Sequence, residues 1–110
     1  MSDKKQSFSI SHDSPEEFEW DEDKNLKNIE AHGVDFVRAK EIWTGEVIEV
    51  PSGQQHHGEM RHLAIGTVGD DERLITVVFT YRCEIRRIIS ARRARDNERK
   101  NYQNAFRRGS

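Results

Sequence analysis

The chain of 110 residues is 35% charged and 34% hydrophobic, with a formal net charge of −2. That size suits one domain with a lean core. The absence of any run of about 18 apolar residues speaks against a membrane-spanning helix. The single cysteine, Cys83, rules out an intrachain disulfide and a cysteine-based zinc cluster. No apolar leader opens the chain, so a reducing, cytoplasmic setting is expected. The small net charge hides an asymmetry. Residues 1–50 carry 13 acids and 6 bases, residues 51–110 carry 7 acids and 12 bases, and from Arg82 onward there are 10 bases and 3 acids. A basic half joined to an acidic one suggests a face for a polyanion, although charge runs are also commonly plain solvated surface.

In chain order, residues 1–16 are polar and aperiodic and are expected to be a flexible tail before a single domain over 17–107. The alternation in EFEW (17–20) reads as a short strand. Asp21 is placed to cap a helix over 22–32, because its carboxylate accepts from the free N–H groups of a first turn. Leu26 and Ile29, with Ala31 or His32, would form its thin apolar stripe. Gly33 suits the left-handed residue that ends such a helix. Asp35 is a second N-cap, and Phe36, Ala39, Ile42 and Trp43 share one face of a short helix ending near Gly45. EVIEV (46–50) reads as a strand stopped by Pro51, and PSGQQHHG (51–58) as turn material.

Strands are then expected over 60–68, 74–81 and 85–90, with turns at 69–73 and near Cys83 and Glu84. The middle strand, LITVVFTY, is apolar on both faces and reads as central. Short turns between consecutive strands favour antiparallel hairpins. A polar helix over 95–107 closes the chain. A run of strands, rather than strict alternation with helices, indicates an α+β fold: a small antiparallel β-sheet with helices packed on one face.

The motifs FEWD (18–21), HG (32–33), VDF (34–36) with IW (42–43), HGEMRHLAIG (57–66), LITVVFTYR (74–82) and IRRIISARRA (85–94), followed by Glu98, Arg99 and Tyr102, are similar in order and spacing to the BrnT-type toxins. These are the ribonuclease halves of type II toxin–antitoxin pairs. The resemblance covers roughly 18–102. It implies a RelE-like fold and RNA cleavage that arrests translation. It also implies neutralisation by a cognate BrnA-like antitoxin, a small DNA-binding protein. The implied assembly holds two copies of each and reaches operator DNA only through the antitoxin. One departure stands out. The family often has Thr where this chain has Arg95, so a Thr–Glu capping box with Glu98 is lost, and Asp96 is expected to cap the last helix one residue later.

RNA cleavage requires a base for the ribose 2′-OH, an acid for the leaving 5′-oxygen and cations for the phosphoryl oxygens; it needs no metal or other cofactor in principle. HGEMR supplies His57, Glu59 and Arg61. In an extended segment Glu59 and Arg61 share a face, either as a structural ion pair or as a base beside a phosphate clamp. His57 titrates near neutrality and suits acid or base, or is a solvated loop residue. Arg82 ends a central strand, and Arg87 sits among apolar neighbours. Both are candidates to hold phosphate, the alternative being pairs with Glu59 or Glu84. Arg86 must point away from Arg87. Arg92 and Arg93 precede a helix N-terminus, where anions are favoured; one is expected to pair with an acid of the first half and the other to contact RNA. Trp20, Trp43 and Tyr102 read as packing residues, and His56 and His57 lack partners for a metal site. The candidate set is therefore His57, Glu59, Arg61 and Arg82 for catalysis and Arg87, Arg92 and Arg93 for RNA binding. A non-catalytic nucleic-acid-binding module and a partner-docking protein are the alternatives.

Overall fold

The computed structural model describes residues 17–56, 58–69 and 73–106. The expected tail over 1–16 and His57 lie outside the described residues. The order is β1 (Phe18–Glu19), α1 (Glu22–His32), α2 (Phe36–Ala39) running into a 3-10 turn (Lys40–Thr44), β2 (Val47–His56), β3 (Glu59–Val68), β4 (Arg73–Arg82), β5 (Ile85–Arg93) and α3 (Asp96–Phe106). Strands β2 to β5 form an antiparallel meander, and the sheet order is β1-β5-β4-β3-β2. The α+β reading holds. The sheet is mixed rather than wholly antiparallel, because β1 adds to β5 in parallel at Phe18↔Arg86 and Glu19↔Arg87. No helix among the described residues is long and apolar enough to cross a membrane.

One face of the sheet carries the main core. Phe36, Ala39 and Ile42 from α2 and the 3-10 turn pack on Ala64, Ile75, Val77, Phe79, Ile88 and Ala91. Their strand neighbours turn to the other face, which is mixed: apolar Leu63, Ile65 and Val78 lie there beside polar Thr76, Thr80 and Arg87. Trp20 and Trp43 pack against this core as expected. Gly66 sits where the 3-10 turn crosses β3. A Cβ there would lie 2.8 Å from the Ile42 Cβ, so only glycine lets the two segments approach this closely.

Both N-caps form as read: Asp21 accepts from the N–H groups of Asp23 and Lys24, and Asp35 accepts from that of Val37. Gly33 ends α1 with φ 74° and donates to the Ile29 carbonyl. The inward face of α1 is not the expected apolar stripe. Leu26 and Ile29 are exposed, and the buried residues are Asn25 and Asn28. The reason lies at the rim of the sheet. Asn28 donates to the Ala91 carbonyl at 2.8 Å and accepts from the Ala91 N–H at 3.2 Å. Its amide thus takes the place of a neighbouring strand and closes the unpaired edge of β5. Asn25 accepts from the Phe36 N–H and donates to Asp35, tying α1 to α2.

Two further expectations are corrected. β2 does not stop at Pro51 but runs on to His56. Proline is tolerated because β2 is an edge strand, and its register against β3 shifts between Pro51 and Gln55. The helices do not share one face either. Thr76 points away from the main core, and its hydroxyl donates to Glu98 of α3 at 2.9 Å. So α3 covers the face opposite to α2, and the Tyr102 hydroxyl pins it by donating to the Glu46 carbonyl at 3.0 Å.

The start of α3 also differs. Asp96 is its first helical residue, and Arg95 is the cap, because the Arg95 carbonyl accepts from the Arg99 N–H. Half of the capping box survives: Glu98 Oε1 accepts from the Arg95 N–H at 2.8 Å.

Between β4 and β5 the loop is only Cys83 and Glu84, both left-handed at φ 52° and 70°. Such a two-residue turn matches the twist of the strands it joins, although Asn–Gly is its usual sequence. Near the end of this hairpin the ladder shifts register. Val78 pairs with Ser90 and Phe79 with Ile88, leaving Ile89 as a bulge.

Candidate functional site

Alternation along three strands brings four of the seven candidate residues into one cleft. Glu59 and Arg61 rise from β3, Thr80 and Arg82 from β4, and Arg87 and Ile89 from β5. Lys24 reaches in from α1, and the cleft measures about 440 Å³. Thr80 and Arg87 are direct cross-strand partners, and the Thr80 hydroxyl donates to the Met60 carbonyl at 2.9 Å. The cleft therefore has a rigid floor of paired strands, which holds charged groups more precisely than a loop would.

Within it, Arg82 grips Glu59 with two hydrogen bonds, Nε to Oε2 at 2.7 Å and Nη2 to Oε1 at 3.3 Å. The Arg82 bond holds the Glu59 carboxyl below its ordinary range; burial opposes this, and the charges of Arg82, Arg87 and Arg61 reinforce it. Glu59 in turn raises the Arg82 guanidinium above its usual value. Arg87 contacts Glu19 of β1 at 3.3 Å. The side chains of Lys24 and Arg61 make no ion pair or hydrogen bond among the described residues. The cleft thus presents four cations around one ionised carboxylate. An anion with several oxygens, such as phosphate, fits that field.

The remaining candidates lie elsewhere. Arg92 is bound at both nitrogens by Glu98, at 2.8 and 2.9 Å, under α3. Its partner comes from the last helix and not from the first half of the chain. Arg93 is exposed at the far end of β5, roughly 20 Å from Arg87 at ordinary strand rise. Arg86 does point away from Arg87. Its guanidinium lies 4.9 Å from the Trp43 ring and bonds Glu49 at 3.3 Å. The same Glu49 accepts from Trp43 Nε1 and the Tyr81 hydroxyl. This second cluster seals the end of the main core. Its Tyr81 hydroxyl is pushed above its ordinary pKa, first by burial and then by the Glu49 charge.

Sequence reasoning missed Lys24, Thr80 and Ile89. The alternation of β4 could have yielded Thr80, which lies two residues before Arg82. Lys24 comes from the acidic half, and Ile89 is turned outward by a bulge; neither had a local signal.

A mixed sheet with helices on both faces, and a cation-rich cleft around an ionised carboxylate, define this small α+β protein. The model of the family described as ribonuclease toxin, BrnT, of type II toxin–antitoxin systems matches residues 20–98. The chain belongs to that family, and membership in a type II toxin–antitoxin family implies an antitoxin partner. No curated protein sequence matches the chain.

Proposed function

We propose that this chain is an endoribonuclease and that the cleft around Glu59, Arg61, Arg82 and Arg87 holds the scissile phosphate. The carrying observation is that four cations surround one ionised carboxylate on a rigid strand floor. An incoming phosphate competes with Glu59 for the Arg82 fork. Once freed, the Glu59 carboxylate takes the proton of the ribose 2′-OH. The 2′-oxygen then attacks phosphorus, and the P–O5′ bond breaks. His57, two residues before Glu59 in the chain, is the candidate acid that returns a proton to the 5′-oxygen. The products are a 2′,3′-cyclic phosphate and a 5′-hydroxyl. Arg61, Arg82 and Arg87 stabilise the charge building on the phosphoryl oxygens, so the step as drawn needs no metal. Arg93 is left for an outlying RNA contact, and Arg92 serves the fold first.

In the cell this activity would act in the cytoplasm and arrest translation. A BrnA-like DNA-binding antitoxin would neutralise it in an assembly of two copies of each, with operator DNA touched only by the antitoxin. The toxin domain would span 17–107.

The test is growth and RNA integrity after induction without antitoxin, repeated for Arg61→Ala and Arg82→Ala, with purified protein assayed in EDTA. Growth arrest and RNA fragmentation by the wild type alone, undiminished by EDTA, support the reading. Intact RNA with the wild type overturns it. The tight Glu59–Arg82 fork favours a second reading, a binding module in which Glu59 only orders Arg82. Growth arrest that persists in Glu59→Gln without RNA fragments would select it.

A further inference from the structure

The cleft does not end at Ile89. A second, shallower hollow of about 250 Å³ adjoins it, lined by Lys24, Lys27, Asn28, Ala31, His32 and Ile89. Lys24 and Ile89 belong to both, so the two form one continuous track along the β5 side of the sheet.

Helical spacing explains the chemistry of the second hollow. Lys24, Lys27, Asn28 and Ala31 follow i, i+3, i+4, i+7 and share one face of α1. The acids of the helix, Glu22, Asp23 and Glu30, fall outside this set and do not line the hollow. An acidic stretch of sequence therefore turns two lysines and a methyl group toward the cleft. Asn28 is committed to the backbone of Val34 and Ala91 and has no donor left over for a ligand. The β5 bulge adds a partly buried apolar side chain, Ile89, at the junction. Bulges often re-aim a side chain next to a functional site. An apolar patch with ammonium groups beside it matches a nucleotide, whose flat base seeks apolar contact while its phosphate seeks cations.

We infer that this hollow is a subsite for a nucleotide flanking the scissile phosphate. The base rests on Ile89 and Ala31, and the phosphate lies between Lys24 and Lys27. The inference rests on the ribonuclease reading above and extends it from a single phosphate to a track at least one nucleotide longer. Lys27 and Ala31 belong to the new subsite alone, whereas Lys24 and Ile89 serve both hollows.

The test uses the full-length chain and 2′-O-methyl oligonucleotides, which lack the attacking hydroxyl. Binding is followed by fluorescence anisotropy for a dinucleotide and for versions extended by one nucleotide on either side. The wild type should gain about tenfold in affinity from one of the two extensions. Lys27→Glu and Ala31→Glu, both at exposed helix positions, should lose that gain while binding the dinucleotide as the wild type does. If neither extension helps the wild type, or if both variants keep the gain, the subsite is overturned. Failure of the underlying reading looks different: Arg82→Ala would then bind the dinucleotide as well as the wild type does, and the wild type would leave RNA intact.

Discussion

Two glutamate–arginine pairs lie on the same face of the sheet, and each is a two-point fork. Glu98 and Arg92 are sealed beneath α3, with side chains 7% and 16% exposed, whereas Glu59 and Arg82 stand open at 37% and 48%. Glu98 also accepts from Thr76 and from the Arg95 N–H. Arg92 first, with the Arg95 N–H and Thr76 behind it, lowers its carboxyl to about 2 against the cost of burial. Glu59 depends on Arg82 for its hydrogen bonds and is surrounded by further cations. The lesson concerns saturation. A carboxylate that accepts four hydrogen bonds from three residues locks a helix in place. One held by a single partner beside spare cations can, in the proposed reaction, yield that partner to a phosphate.

The comparison breaks most sharply in activity. Arg82→Ala should lower RNA cleavage by about 10²–10³-fold, the usual cost of removing a donor to a developing oxyanion, and leave the melting temperature nearly unchanged. An equal loss of melting temperature would mean that the open pair is structural. Conversely, Glu98→Gln should cost about 3 kcal/mol, because Arg92 is left buried with a weakened partner. Denaturant unfolding should register this loss, and amide exchange should show α3 opening first.

Acid sharpens the contrast. The folded Glu98 carboxyl lies near 2 against an ordinary 4.5, so the unfolded chain takes up the proton first as pH falls. The stabilisation is complete above about pH 4.5 and disappears progressively toward pH 2. It amounts to about 3 kcal/mol. The wild-type melting temperature should therefore drop across that window by roughly 10–20 °C more than that of Glu98→Gln. Salt gives the smallest effect. Going from about 0.1 to 1 M shortens the screening length from about 10 to 3 Å. RNA binding at the open cleft should weaken while the sealed pair, and with it the melting temperature, changes little.

Much of the frame was readable from residue order alone. The strands near 60–68, 74–81 and 85–90 follow from apolar runs between turn residues, and the caps at Asp21, Gly33 and Asp35 follow from side-chain chemistry within a few positions. The opposed directions of Arg86 and Arg87 follow from the two-residue period of a strand. Other features were not readable, because they depend on contacts across the fold. Asn25 and Asn28 read as surface residues until the open edge of β5 is placed beside them. Pro51 ended a strand on paper because its edge position was unknown. Arg92 looked like an anion ligand until Glu98 came back over it. Lys24 joins the cleft only once α1 is laid against β5.

The hairpin of Cys83 and Glu84 carries a consequence for the chemistry. β5 has no other short tether to β4, and between this turn and the bulge at Ile89 each of its side chains looks to one side of the sheet or the other by simple parity. An insertion of one residue here that slid β5 by one position along β4 would turn the strand over. Arg86 would then take the place of Arg87 in the open cleft, and Arg87 would be driven into the place of Ile88 in the core. Odd and even would trade places without a single arginine being replaced. The number of residues in this turn is thus a parameter of the site, as much as the identity of any side chain within it.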